Sequence, residues 1–161
     1  MIQQPAATDD PTTGLKLDAY LPYRLSVASN AVSRLVARVY EDRFGLTIPQ
    51  WRLVCVLAED GPLTQNAIVA RTVMDRETVG QSAQGLVERR FVERTANAAD
   101  IRSEAFALTR EGERLHGEVA PLALAYEAAL VSGLAPAEVA LLKRLLVRLQ
   151  GAAQSLGGAT P

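Results

Sequence analysis

The stretch from Leu63 to Gly112, LTQNAIVARTVMDRETVGQSAQGLVERRFVERTANAADIRSEAFALTREG, limits what this chain can fold into more than any other. Two short apolar-periodic segments come first, joined by a tight turn. Thr64 is placed to cap the first, which runs to about Val73 with Ala67, Ala70 and Met74 on one face and Ile68 beside it. Asp75 is placed to cap the second, whose inner face carries Val79, Ala83, Leu86 and Val87. A strand-like run, FVERT, follows, and a polar tip, ANAAD, leads through IRS to a second strand-like run, EAFAL. Helix, turn, helix and two-stranded hairpin is the plan of a winged helix-turn-helix, in which the second helix lies in the major groove of DNA.

The flanks read as helices. From about Asp18 to Phe44, Leu25, Ala28, Val32, Leu35, Val36 and Val39 recur at helical spacing, with Pro22 tolerable only in the first turn and Gly45 as C-cap. Thr47-Ile-Pro49 opens a helix that is almost wholly apolar from Trp51 to Ala58, and therefore buried. Past the hairpin, Thr109 caps a helix bearing Leu115, Val119, Leu122, Tyr126 and Leu130; Pro121 should kink it and Gly133 ends it. Pro136 starts a last helix striped by Leu142, Leu145, Leu146 and Leu149, with fraying expected from Gly151. The expected fold is mainly α with a small β-wing: a winged helix-turn-helix plus a helical dimerisation region. The expected parts are a flexible arm at 1–17, an N-terminal dimerisation helix at 18–48, the winged domain at 49–110, C-terminal dimerisation helices at 111–155 and a tail at 156–161.

Charge alone does not announce a nucleic-acid partner. The chain has 17 Lys plus Arg against 18 Asp plus Glu, net −1. Any basic face must be sorted out by folding. The cations are almost all Arg, which suits phosphate and guanine edges but also follows from GC-rich coding. No run approaches the roughly 20 apolar residues of a membrane span, and the first residues lack a signal pattern, so a cytoplasmic location is expected. Catalysis is not expected. With one His and one Cys, 61 positions apart, there is no triad, no metal-ligand spacing and no phosphate-binding glycine loop, so neither cofactor nor metal is expected.

The segments IPQWRLVCVLAEDGPLT, VMDRETVGQSAQGLVERRFVER and AADIRSEAFALTREGERL resemble, in that order, the MarR family of dimeric bacterial transcription regulators. The resemblance spans about residues 18 to 155. The family's Asp-x-Arg wing pair is matched by Asp100-Ile-Arg102, and its Leu-Thr-x-x-Gly element by Leu108 to Gly112. The resemblance implies that Arg102 enters the minor groove, where negative potential concentrates. Asp100 would hold the Arg102 guanidinium in a bidentate pair. Arg76, Gln81 and Gln84 would contact bases or phosphates in the major groove, Gln suiting adenine and Arg guanine, with Thr78 donating to a phosphate. Three positions depart from the pattern. Gly80 replaces Ser or Thr, Gln81 replaces a basic residue, and Arg90-Phe91 replaces the Gly-plus-aliphatic pair that ends the recognition helix. The last implies a helix that ends differently, because a non-glycine left-handed cap costs roughly 1 kcal/mol.

The resemblance also implies a homodimer on a pseudo-palindromic double-stranded operator, and a repressor released by a small aromatic or phenolic acid or its thioester. YRLSVASNAVSRLVARVYEDRFGLTIPQWR is similar to members linked to aromatic catabolism. The candidate effector residues are Ser26, Asn30, Ser33, Arg34, Trp51 and Arg52: short polar groups to orient, Arg for a carboxylate, Trp for a ring. Each also has a plain reading, as solvated helix face, surface ion pair or core. His116 reads as a helix-surface residue. Two other functions fit the residues: an oxidation sensor through Cys55, and a winged helix that binds protein rather than DNA.

Overall fold

The computed structural model describes residues 14–157 except 98 and 101. A short 3-10 turn at Leu17–Ala19 precedes α1 (Leu21–Phe44). Then come α2 (Ile48–Asp60), β1 (Leu63–Thr64), α3 (Gln65–Thr72), α4 (Arg76–Glu88), β2 (Val92–Ala96), β3 (Glu104–Leu108), α5 (Arg110–Leu130) and α6 (Pro136–Gly157). The fold is mainly helical with one small antiparallel sheet of order β1-β3-β2. No helix among the described residues is long and apolar enough to cross a membrane.

Helix starts follow the sequence signals. Thr47 and Gln50 form a reciprocal capping box on α2. Thr64, Asp75 and Thr109 each accept a backbone N–H from their own helix, at 3.3 Å (Ala67), 2.7 Å (Thr78) and 3.1 Å (Gly112). Gly45 ends α1 in the left-handed region at φ 60°.

The core is built around α2. Leu46, Leu53, Val54, Ile68, Leu86, Val79, Val92 and Val119 are the largest of its fully enclosed side chains. Each large apolar side chain taken fully from water contributes about 1.5–3 kcal/mol. On α3 the inward residue is Ile68, with Val69 half-buried against the core, whereas Ala70 is exposed. The expected Ala67–Ala70–Met74 face is therefore rotated toward Ile68, the larger apolar group. Met74 is buried from the turn that follows α3, not from the helix.

Two elements differ from expectation. β1 pairs Leu63 with Phe106 and Thr64 with Ala105, giving the wing a third strand; two residues are too few to carry an alternation. α6 continues through Gly151 to Gly157, because Ala152, Ala153, Gln154 and Leu156 are good helix formers and one glycine weakens a helix by only about 1 kcal/mol. α5 is one helix through Pro121. The proposed N-terminal arm lies largely outside the described residues, as does most of the proposed tail.

Gly112 positions α5. A Cβ there would sit 2.0 Å from the Phe91 carbonyl oxygen. That carbonyl accepts the Thr109 N–H at 3.1 Å, and the Thr109 hydroxyl donates to the Arg90 carbonyl at 2.7 Å. The Leu-Thr-x-x-Gly element thus docks α5 against the chain leaving α4.

The apolar stripes of the long helices are only partly covered. α1 buries only Val39 and Tyr40, and α5 only Gly112, Leu115 and Val119, all in its first half. α6 buries none of its residues. Leu142, Leu145, Leu146 and Leu149 are each 39–44% exposed. The Lys143 ammonium and the Glu127 carboxylate join α6 to α5 at 2.7 Å.

Candidate nucleic-acid interface

α4 turns Val79, Ser82, Ala83 and Leu86 into the core. That leaves Glu77, Gln81, Gln84 and Glu88 exposed on the opposite side, as a period of 3.6 requires. At the N-terminus the Asp75 carboxylate accepts both the Thr78 N–H at 2.7 Å and the Thr78 hydroxyl at 2.6 Å. These bonds, the hydroxyl's first, hold the Asp75 carboxyl below its ordinary range. The Thr78 hydroxyl proton, the expected phosphate donor, points at Asp75. The Arg76 guanidinium donates to the Asn66 side-chain oxygen, and the Arg76 carbonyl accepts from Gln65 Nε2 at 2.9 Å. Along the outer face Gln81 donates to Glu77 at 3.0 Å and Gln84 to Glu88 at 2.9 Å. Gly80 is half-buried, and a Cβ there would meet the Gln65 side chain at 3.1 Å. Its missing side chain faces α3 rather than a groove of DNA.

α4 ends as a glycine-capped helix would. Arg90 takes φ 61°, its N–H bonds to the Val87 carbonyl at 2.9 Å, and the Phe91 N–H reaches the Leu86 carbonyl at 3.0 Å. This is a complete Schellman motif. The expected different ending does not occur: the two recovered backbone bonds and the Phe91 ring against the core hold Arg90 in the strained region.

In the wing, Asp100 and Arg102 are neighbours but not a bidentate pair. The Asp100 carboxylate accepts the backbone N–H of Arg102 at 3.0 Å, and the Asp100 carbonyl accepts both the N–H and the hydroxyl of Ser103, at 2.9 and 3.0 Å. Asn97 closes the turn through Ser103 Oγ at 2.8 Å. Asp100 shapes the backbone of the turn, as short carboxylates do. No carboxylate of the described residues pairs with the Arg102 guanidinium, and Arg102 is exposed.

Two arginines not singled out in the sequence join these parts. Arg94, on β2, donates to Gln84 Oε1 at 2.9 Å and to Glu104 at 3.1 Å, with its guanidinium 5.7 Å from the Phe106 ring centre. It ties the outer face of α4 to the wing. A cleft of about 310 Å³ opens beside it, lined by Gln65, Asn66, Arg76, Gly80, Arg94 and Glu104 among others. Arg89, the C-cap of α4, donates to the carbonyls of Phe44 and Gly45 at 2.7 Å each and lies over the Phe91 ring at 4.9 Å. It ties the end of α4 to the end of α1. The register of the two strands was the available signal for Arg94, since Arg94 pairs with Phe106 across the ladder. Nothing local points from Arg89 to a carbonyl 45 residues away.

The candidate effector residues occupy α1 and the start of α2. Ser26, Asn30, Arg34 and Arg52 are exposed and Ser33 is half-buried, so a single chain does not enclose them. Trp51 is 8% exposed, packed 5.3 Å from Tyr40 and stacked on His116 at 5.6 Å between ring centres. His116 is therefore not a plain helix-surface residue; its ring covers Trp51. It also edges a cleft of about 470 Å³ with Leu57, Ala58, Pro62, Leu108 and Glu113. Cys55 is half-buried, and burial, with Glu59 adding to it, pushes its thiol up to about 12. A thiol in that range is almost wholly protonated at neutral pH, which opposes a sensing role.

Comparison with known proteins gives one consistent result. Residues 44–103 match the MarR family model. A curated relative, the uncharacterized HTH-type transcriptional regulator YwoH of Bacillus subtilis (strain 168), is 28% identical over 117 residues, covering 71% of this chain and 85% of the relative. The crystal structure of a MarR/EmrR family transcriptional regulator from Acinetobacter sp. ADP1 superimposes with a TM-score of 0.80 at 22% identity, covering 88% of this chain and 99% of that one. BpsR of Bordetella bronchiseptica, whose DNA binding is regulated by 6-hydroxynicotinic acid, superimposes with a TM-score of 0.78 at 24% identity, covering 84% of this chain and 96% of that one.

Proposed function

We propose that this chain is a transcriptional regulator of the MarR type and works as a homodimeric repressor on a pseudo-palindromic operator in double-stranded DNA, a reading supported by the family match of its central segment and by its fold. Residues 49–110 read the DNA, and the helices in 18–48 and 111–155 pair the two copies. The recognition helix meets the major groove through Arg76, Thr78, Gln81 and Gln84, and the wing meets the minor groove through Arg102, with Asp100 holding its turn. The observation that carries the DNA reading is the junction at Arg94, which makes the outward face of α4 and the wing one surface. The dimer reading is supported by the uncovered leucines of α6.

The effector is a small aromatic or phenolic acid or its thioester. It is held near Ser26, Asn30, Ser33, Arg34, Trp51 and Arg52 once a second chain closes over α1. A heteroaromatic acid acting on BpsR supports that class. The Arg89 bonds to the end of α1 give such a ligand a route to the recognition helix.

The test is an electrophoretic mobility shift with the DNA upstream of the gene. A salt-sensitive complex is expected, and Arg102→Ala is expected to weaken it about tenfold. No complex at low salt sinks the DNA reading, and unchanged affinity in Arg102→Ala sinks the wing's role. Titration with benzoate, hydroxycinnamate and their coenzyme A thioesters, followed by Trp51 fluorescence and DNA release, tests the effector class. No response across the panel removes it.

A further inference from the structure

Two glutamines face outward from α4, and each is bonded to neighbours that leave its amide one orientation. A carboxylate only accepts and a guanidinium only donates. Gln81 Nε2 donates to Glu77 at 3.0 Å, and no donor of the described residues reaches its Oε1. Gln84 Nε2 donates to Glu88 at 2.9 Å, while its Oε1 accepts from Arg94 at 2.9 Å. Turning either amide over would set oxygen against carboxylate, and at Gln84 also NH2 against guanidinium. Arg94 is itself fixed by Glu104 at 3.1 Å and by the Phe106 ring.

We propose that Glu77, Glu88 and Arg94 are specificity-determining positioning residues that set opposite hydrogen-bond polarity at the two reading glutamines. Gln81 presents its carbonyl oxygen and takes an amino group in the major groove, on adenine or cytosine. Gln84, with its oxygen held toward the wing, presents its remaining N–H and takes an acceptor: purine N7, guanine O6 or thymine O4. The bidentate Gln–adenine pair needs both ends of one amide on one base, and Arg94 withholds that from Gln84. This rests on the recognition-helix reading above.

The experiment is selection of duplexes from a randomised pool by the full-length protein, with sequencing of the bound fraction. Gln81→Ala and Gln84→Ala first identify the base pair under each side chain. The wild type is expected to favour an amino-bearing base under Gln81 and an acceptor-presenting base under Gln84, each by about tenfold. Glu77→Ala should erase the first preference. Arg94→Met should move the second toward adenine, and Arg94→Lys, which keeps a donor, should retain the wild-type pattern. Circular dichroism checks each fold; should Arg94→Met be unfolded, Arg94→Thr, which suits a strand and likewise leaves the Gln84 oxygen without the guanidinium, replaces it, with the same shift toward adenine expected. If Glu77→Ala and the folded Arg94 variant bind DNA and return the wild-type pattern at the mapped positions, the proposal is overturned while DNA reading stands. A wild type that binds DNA but selects no pattern overturns the proposal through the reading glutamines. A wild type that binds no DNA overturns the DNA reading and the proposal together.

Discussion

Arg90 holds a backbone conformation, φ 61°, that glycine reaches without strain. Its cap bonds are complete, so the strain is the only local cost. Arg90→Gly is expected to stabilise the chain by about 1 kcal/mol, read from the urea midpoint at unchanged slope. Val73, β-branched at φ 56°, is strained in the same sense where α3 turns into α4. Cys55 offers a second test at this scale. Its thiol in the folded chain lies near 12, above the ordinary 9.0, so the unfolded chain ionises first. That contribution to stability is whole below pH 9 and declines as pH rises from 9 toward 12. Alkylation by iodoacetamide at pH 8 should be far slower in the native chain than in urea; equal rates would revive the thiol-sensing alternative. Residue roles were the part least legible in the sequence. Asp100 and Arg102 could be named from the resemblance to the MarR wing, but that pattern does not say whether a carboxylate takes a guanidinium or a backbone N–H.

At the scale of elements, the sequence was legible wherever one local signal sufficed. Thr47, Thr64, Asp75 and Thr109 are all N-caps because a short acceptor side chain precedes an apolar period at each. β1 escaped because its pairing partners, Phe106 and Ala105, are some forty residues distant. Arg89 escaped for the same reason, since the carbonyls it meets lie 44 and 45 residues away, whereas Arg94 had a nearer signal in the register of its own hairpin. Gly112 shows a local signal with a long-range cause: the sequence marks it as a motif glycine, and the Phe91 carbonyl explains it. In an ordinary helix Gly→Ala gains about 1 kcal/mol. Here the methyl group would collide with backbone, so Gly112→Ala is expected to destabilise by roughly 2–3 kcal/mol in urea unfolding. A neutral outcome would mean that α5 shifts away from the wing without penalty.

The whole molecule is legible in its outline, and its long helices keep apolar stripes exposed in the single chain. Helical periodicity alone marked the stripes of α1, α5 and α6, and the structure leaves most of those leucines and valines in water. Covering them with a second copy makes stability depend on protein concentration. The thermal midpoint should rise measurably across a hundredfold concentration increase, and a concentration-independent midpoint would argue for a monomer. The candidate effector residues were the least legible at this scale, because Ser26, Asn30, Arg34 and Arg52 are exposed in the single chain and helical spacing does not say what faces them. The clamp of Arg89 on the Phe44 and Gly45 carbonyls carries a thermodynamic obligation. If a ligand seated against α1 lowers operator affinity through that joint, the operator lowers the ligand's affinity by the same factor. Promoter occupancy then sets how much effector the cell must accumulate, so strong operators raise the induction threshold and weak ones lower it.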